Sequence, residues 1–266
     1  MATNITMVCD TVSPSQWEIL SNKKIFFGHQ SVGFNIIDGI RDIEKKIPSL
    51  HLNIIETRVA KDFNVSVFAH SRIEKNEEPH LKIADFRTVM QSDVGKSIDI
   101  ALMKFCYVDI TKDTEIKTIF DSYVNTMDSL QMELPNTKLV YCTVPLSVCN
   151  RSYKGQIRRF IRRYDNNDLN NQARMDFNSL VRQKVTNGGL LFDLAHWEST
   201  YPDGSNETFS IGGKKYESLV PLYSSDGGHL NTTGSDWIAG HLLVFLQNQF
   251  LNTGSPTSLR IMETGK

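Results

Sequence analysis

Residues 24–33, Lys24-Ile25-Phe26-Phe27-Gly28-His29-Gln30-Ser31-Val32-Gly33, join a short apolar run to a helical pattern. The run Lys24–Phe27 favours a buried strand. Beyond Val32, apolar side chains recur every three or four positions, which predicts an amphipathic helix; they are Phe34, Ile36, Ile37, Ile40, Ile43 and Ile47. We therefore expect Ser31 where the first strand turns into a long helix.

The alternation of strand and helix continues along the chain. Near-continuous apolar strands separated by helices are typical of a parallel sheet covered on both faces. The pattern predicts an α/β fold with three layers, α/β/α, around a mostly parallel five-stranded sheet. The five apolar runs are Lys24–Phe27, Leu52–Thr57, Ile98–Phe105, Lys138–Val144 and Leu190–Ala195.

The length of 266 residues suits one large domain, and no Pro/Gly/Ser-rich linker divides the chain. We expect residues 1–266 to form a single domain with two insertions. One lies near 150–187 and contains the basic stretch Arg158–Arg163; the other lies near 201–223. Long loops of this kind often carry substrate selectivity.

Composition excludes several classes of partner. A net charge of -1 with 22% charged residues gives no pull toward nucleic acid, and no apolar stretch is long enough to span a bilayer. The first residues show no secretory signal, which predicts a cytoplasmic protein as written, or a secreted or periplasmic one if a leader has been removed. The histidines and four cysteines lack metal-ligand spacing, so we expect no metal and no cofactor.

A second motif lies near the C-terminus, where Tyr223-Ser224-Ser225-Asp226-Gly227-Gly228-His229-Leu230-Asn231 precedes an apolar helical run. Asp and Gly are common turn residues, so the motif could be only a turn. An Asp three residues before a His can also orient the imidazole as a general base. Because loops that follow parallel strands emerge at one edge of the sheet, we expect His229 to lie near Ser31.

Ser31 also has two interpretations. A serine before a helix is commonly an N-cap. At that position its hydroxyl lies beside backbone N–H groups without intrahelical acceptors, which is also the environment that an oxyanion needs. His29 is expected to form a wall of the site or to contact substrate. Asp193, at the end of the fifth strand, is the alternative carboxylate if Asp226 only shapes a turn.

The two end motifs resemble those of the SGNH or GDSL hydrolases, serine esterases with a flavodoxin-like α/β/α fold. Family members place a serine after the first strand, as at Ser31, and end on Asp-x-x-His, as at Asp226-Gly227-Gly228-His229. The resemblance implies that Ser31 is the nucleophile and His229 the base. It also implies that Asp226 fixes the imidazole.

The central motifs depart from the family pattern. Gly28-His29-Gln30-Ser31 replaces Gly-Asp-Ser-Leu, and Lys104-Phe105-Cys106-Tyr107-Val108-Asp109 stands where Gly-x-Asn-Asp is expected. The oxyanion or substrate-binding groups are therefore sought elsewhere: the backbone of Val32 and Gly33, the Asn76 amide, and Tyr107 at the end of the third strand. Lys104 and Asp109 could instead simply pair with each other.

Together these features predict a serine hydrolase that cleaves carboxylic esters through a Ser-His-Asp triad and an acyl-enzyme. O-acyl groups, such as acetyl, on a carbohydrate are favoured over lipid, because no long apolar groove is evident in the sequence. The expected partner is a small-molecule or glycan ester. The alternatives are an O-acyltransferase acting on a glycan and a catalytically degraded glycan-binding module.

Overall fold

The computed structural model describes residues 8–149, 152, 155, 162–186 and 188–251. Its centre is a six-stranded sheet with the order β2-β3-β1-β4-β5-β6. Neighbouring strands are parallel throughout. The strands are β1 (Lys24–His29), β2 (Ile54–Glu56), β3 (Val67–Arg72), β4 (Ile100–Met103), β5 (Lys138–Cys142) and β6 (Leu190–Phe192).

Helices cover both faces of this sheet. One apolar core contains side chains of α1, α2 and α7, and the other contains side chains of α3, α4 and α5. The predicted three-layer α/β/α architecture is therefore confirmed. The helices are α1 (Pro14–Ser21), α2 (Val32–Glu44), α3 (Pro79–Gln91), α4 (Ile116–Glu133), α5 (Asn166–Val185), α6 (Leu194–Ser199) and α7 (Thr232–Leu251). Among the described residues, no helix is long and apolar enough to cross a membrane.

The predicted number of strands, five, is wrong, because β3 was not foreseen. This strand reads Val-Phe-Ala-His-Ser-Arg, so its apolar run is only three residues long. His70 and Ser71 are nevertheless buried. Nδ1 of His70 lies 3.0 Å from Nε2 of His29, and Oγ of Ser71 accepts from Nε of Arg58 at 2.9 Å. A strand can be buried without an apolar sequence pattern when its polar side chains form hydrogen bonds with residues elsewhere in the chain.

The topology creates a crevice at the carboxyl end of β1. This strand pairs with β3 on one side and with β4 on the other. The helix that follows β1 lies on one face, while the helix between β3 and β4 lies on the opposite face. Ligands of open α/β sheets bind where connections diverge in this way. Ser31, two residues after β1, lies at this crevice.

The two segments expected as insertions contain regular structure. Helix α5 connects β5 to β6 and packs against both strands and α4. Residues 201–223 contain the antiparallel hairpin of β7 (Thr208–Ile211) and β8 (Lys214–Glu217). Residues 158–161 of the basic stretch lie outside the described residues. The assignment of 1–266 to one domain stays a prediction.

Helices α2 and α7 approach each other closely at Gly39. A Cβ atom at this position would lie 2.4 Å from the carbonyl oxygen of Ser235, which is far inside van der Waals contact. Glycine is therefore required here by the separation of the two helices.

We expect Gly39→Ala to lower the free energy of unfolding by about 1–3 kcal/mol, because the helices must separate despite the better helix propensity of alanine. Urea unfolding followed by circular dichroism measures this change. Thr118→Ala, on the exposed face of α4, is the control and should change stability by less than about 0.5 kcal/mol. Equal stability of the two variants would contradict the described helix contact.

Glu198 of α6 is a fully buried carboxyl group. One oxygen accepts a hydrogen bond from the backbone N–H of Leu146 at 2.6 Å, and the other, Oε1, has no partner among the described residues. Burial raises the pKa of Glu198 to about 8. The folded protein therefore holds a proton on Glu198 at pH values at which the unfolded chain has released it.

This pKa predicts that the wild type loses stability as pH rises from about 5 to 8, by up to about 1.4 kcal/mol per pH unit from this group alone. This stabilisation is fully present below the pKa that Glu198 has in the unfolded chain. It is lost as the pH rises through the pKa that Glu198 has in the folded protein. Glu198→Gln should flatten the plot of Tm against pH. The exposed control Glu18→Gln should retain the wild-type slope; a wild-type slope in Glu198→Gln would refute the assignment.

Candidate active site

Ser31 lies in a strained turn between β1 and α2. Its φ of 47° and ψ of -108° are unusual for a residue other than glycine. Its side chain caps none of the described backbone N–H groups of α2. Instead, Oγ lies 2.6 Å from Nε2 of His229. The turn therefore directs the hydroxyl toward an imidazole and not toward its own helix, and strain of this kind is concentrated at functional sites.

The loop before α7 holds His229 through Asp226. Oδ1 of Asp226 accepts hydrogen bonds from the backbone N–H groups of Gly228 (2.9 Å) and His229 (2.8 Å). Oδ2 lies 2.7 Å from Nδ1 of the His229 ring. Gly227, with φ of 91°, makes the turn that brings these groups together. One oxygen of Asp226 thus shapes the turn, and the other contacts the imidazole.

The carboxylate of Asp226 determines which nitrogen of the His229 ring carries the hydrogen. Hydrogen bonds from the Gly228 backbone and from the side chain and backbone of His229 hold the pKa of Asp226 well below its usual value. An ionised carboxylate can only accept, so Nδ1 of His229 must donate to it. In the neutral ring, Nε2 is then an acceptor for the Ser31 hydroxyl proton. Side chains of Asp226 and His229 are 56% and 45% exposed, which leaves them accessible from solvent.

The two backbone N–H groups expected to bind an oxyanion, those of Val32 and Gly33, differ in whether they are free to donate. Val32 is the first residue of α2, where N–H groups lack intrahelical acceptors. The N–H of Gly33 donates to the Gln30 carbonyl at 2.9 Å, so this group is not free for an oxyanion, contrary to expectation. Gly33 instead makes room for a neighbour: a Cβ there would lie 2.3 Å from the His29 ring.

His29 does not form a wall of the site, so this prediction is wrong. Its ring is fully buried, with Nε2 at 3.0 Å from Nδ1 of His70. Burial, assisted by the nearby charge of Lys104, lowers the pKa of His29 to about 2. The neutral ring packs beneath the start of α2. It supports the turn that carries Ser31 and cannot reach a substrate.

Asn76 lies on an exposed loop, residues 74–78, that is tied to the Ser31 turn. Nε2 of Gln30 donates to the Glu74 carbonyl at 2.6 Å. The Asn76 amide oxygen accepts from Nζ of Lys82 at 2.9 Å, which leaves the amide nitrogen as the outward donor. The Lys82 hydrogen bond therefore orients the Asn76 side chain on the loop that Gln30 contacts.

Lys82 is anchored by the interior of the protein. Its ammonium lies 2.6 Å from Oδ2 of Asp109, and both side chains are fully buried. The other oxygen, Oδ1 of Asp109, accepts from the Glu77 backbone at 2.8 Å. The expected pairing of Asp109 with Lys104 is wrong, because Nζ of Lys104 donates to the Phe105 carbonyl. The sequence did not single out Lys82, whose burial depends on a partner 27 residues away.

Tyr107 contacts the ring of His229 directly. Its ring is edge-on to that of His229, with centroids 5.8 Å apart. A Cβ on Gly228 would lie 2.7 Å from Cζ of Tyr107, so this glycine permits the contact.

The alternative carboxylate, Asp193, is 2.7 Å from Nε of Arg182 and belongs to a different ion-pair network. Within the described part of the chain, no group of three or more His, Cys, Asp or Glu side chains is arranged to hold a metal ion.

Comparison with known proteins shows the fold. No family model matches the chain. No curated protein matches it either. A GDSL-like lipase from Bacteroides thetaiotaomicron superimposes with a TM-score of 0.52 at 9% identity over 92% of this chain and 96% of the lipase.

Two further similar structures have lower TM-scores. A peptidoglycan O-acetylesterase gives 0.43 at 10% identity, with 69% of this chain and 47% of that chain covered. The lipopolysaccharide acetyltransferase periplasmic domain of Salmonella ser. Paratyphi A gives 0.44 at 12% identity, with 84% and 83% covered. The likeness to the GDSL-like lipase, at 9% identity, bears on architecture only. The chain has the fold of the GDSL-like hydrolases, as the resemblance of its two end motifs implied.

Proposed function

We propose that the protein is a serine hydrolase that cleaves carboxylic esters, with O-acylated carbohydrate as its substrate class. The observation that carries this proposal is the hydrogen-bonded chain from Ser31 through His229 to Asp226, with distances of 2.6 and 2.7 Å. A serine hydroxyl becomes nucleophilic when an oriented base accepts its proton. An unbroken chain of this kind favours an enzyme over a binding module with a degraded site.

In the first half of the reaction, Oγ of Ser31 attacks the acyl carbon while its proton moves to Nε2 of His229. The carbonyl oxygen becomes an oxyanion. Asp226 stabilises the imidazolium through Nδ1. When the tetrahedral intermediate collapses, the alcohol leaves with the proton from His229, and the acyl group remains bonded to Ser31.

In the second half, water attacks the acyl-enzyme and gives its proton to His229. Collapse of the second intermediate releases the carboxylic acid, and His229 returns the proton to Oγ of Ser31. The donors proposed for the oxyanion are the backbone N–H at Val32 and the amide nitrogen of Asn76. Each preorganised donor of this type contributes about 10²–10³ in rate.

The carbohydrate assignment is supported by the polar and open character of the site. The Asn76 amide accepts from Lys82, the Tyr107 ring contacts His229, and the His229 side chain is accessible from solvent. Such surroundings suit a hydroxylated alcohol better than a long acyl chain, which requires continuous apolar surface.

We expect Ser31→Ala to lower kcat/KM for p-nitrophenyl acetate by at least about 10³-fold, because alanine has no hydroxyl to attack the acyl carbon. Ser129→Ala, at a half-buried position on α4, is the matched control and should retain wild-type turnover. Circular dichroism checks that both variants are folded. Wild-type turnover in folded Ser31→Ala would exclude the proposed nucleophile.

We expect Asp226→Asn to lower kcat by about 10²–10⁴-fold, because the amide can donate to Nδ1 and so favour the wrong tautomer of His229. The fold should persist, since Asp226 is exposed. Asp203→Asn is the control: this carboxylate is also exposed and accepts hydrogen bonds from Ser205 in another loop. An equal effect of the two substitutions on kcat would show that Asp226 does not orient the base.

A further inference from the structure

A polar cavity of about 390 Å³ adjoins the Ser31–His229 site. Tyr107 lies between the two, since it lines the cavity and contacts the ring of His229. Other lining residues come from the loop after β4 and from α5, and they include Thr111, Thr114, Asn170 and Arg174. The volume lies within the range of small-molecule sites, but these lining groups are more polar than usual.

Arg174 is the distinctive residue of this cavity. The side chain is 2% exposed. Nε donates to the carbonyls of Tyr107 (2.6 Å) and Ile110 (3.2 Å). Nη1 donates to Ser147 Oγ and Asn171 Oδ1, both at 2.7 Å. All four acceptors are neutral, and none of the described hydrogen bonds uses Nη2.

A buried cation without an anionic partner is costly, and Arg174 has no ion pair among the described residues. Burial lowers the pKa of Arg174 to about 10, so the group is still cationic at neutral pH. The nearby Glu198 does not neutralise it fully, because the pKa of that buried carboxyl group is raised to about 8. The local charge is therefore positive and uncompensated.

Two carboxylates, those of Asp109 and Glu77, also line the cavity, and neither offsets the charge of Arg174. Asp109 is neutralised by Lys82 in the buried ion pair. Glu77 is exposed at the rim, where water screens its charge. Neutral hydrogen-bonding groups complete the lining: Oδ1 of Asn170 accepts from the Lys112 backbone, which leaves the amide nitrogen as a donor, and the hydroxyls of Thr111 and Thr114 lie 3.3 Å apart.

We propose that this cavity is a subsite for an acidic sugar residue of the substrate. The sugar carboxylate pairs with Arg174, and its hydroxyls bond to Asn170 and the two threonines. The assignment of this sugar to the ester substrate rests on the proposed function, whereas binding in the cavity does not. The favoured substrate is thus an O-acyl ester of an acidic saccharide, with the acylated hydroxyl extending past Tyr107 toward Ser31.

Binding is measured by calorimetry with the full chain carrying Ser31→Ala, so that turnover plays no part. The probes are sodium D-glucuronate, D-glucose as the neutral analogue of the same ring, and sodium acetate as a carboxylate without hydroxyls. We expect glucuronate to bind at least about tenfold more tightly than either of the others, because only glucuronate satisfies both the cation and the hydroxyl partners.

Asn170→Asp, added to this protein, tests the sign of the charge effect. The substitution keeps the oxygen that accepts from Lys112 and adds a negative charge to the cavity, so the Kd for glucuronate should rise about tenfold. Glu77→Gln removes the rim charge and should lower the Kd by about two- to threefold at low salt. Gln183→Glu makes the same charge change as Asn170→Asp on an exposed part of α5 and should leave the Kd unchanged.

Equal binding of glucuronate and glucose would overturn the proposal, as would an unchanged Kd in Asn170→Asp or an equal rise in Gln183→Glu. Tight binding of acetate alone would show an anion site without a sugar subsite, which also contradicts it. These outcomes are independent of the esterase assay. Loss of p-nitrophenyl acetate hydrolysis in Ser31→Ala tests the proposed function, and glucuronate binding tests the subsite.

Discussion

The packing of α2 against α7 is the constraint on which the site depends. Ser31 immediately precedes α2, and His229 lies three residues before α7. The close approach of the helices at Gly39 limits how near their N-terminal ends come to each other. Residues separated by 198 positions in the chain thereby come within 2.6 Å. The hydrogen bond is a consequence of helix packing, and the apolar core around both helices stabilises it.

Buried polar groups support the exposed ones. The His29–His70 pair lies beneath the strained Ser31 turn, and Gly33 leaves the space that the His29 ring occupies. On the other side of the crevice, the buried ion pair of Lys82 and Asp109 holds the loop that carries Asn76. Groups that meet a substrate must remain exposed, so their positions are fixed by neighbours that are not.

The two charged groups near the site also divide into an exposed one and a buried one. Asp226 is exposed and ionised, and its carboxylate is directed by backbone N–H groups at the turn. Arg174 is buried and held by neutral acceptors, so its charge acts on whatever occupies the neighbouring cavity. Tyr107 lies between the two regions and contacts both the imidazole and the guanidinium. The proposed acyl chemistry and the proposed sugar subsite thus both adjoin a single aromatic ring.

The sequence by itself determined the layered architecture, the strand that precedes Ser31, and the Asp226–His229 motif. These features depend on local periodicity and on turn residues a few positions apart. Only the tertiary structure decided the rest. It added the strand Val67–Arg72, moved His29 into the interior, and paired Asp109 with Lys82 in place of Lys104. In each case a buried polar side chain forms a hydrogen bond or an ion pair with a residue distant in the chain, and no pattern within one segment of sequence records such a partner.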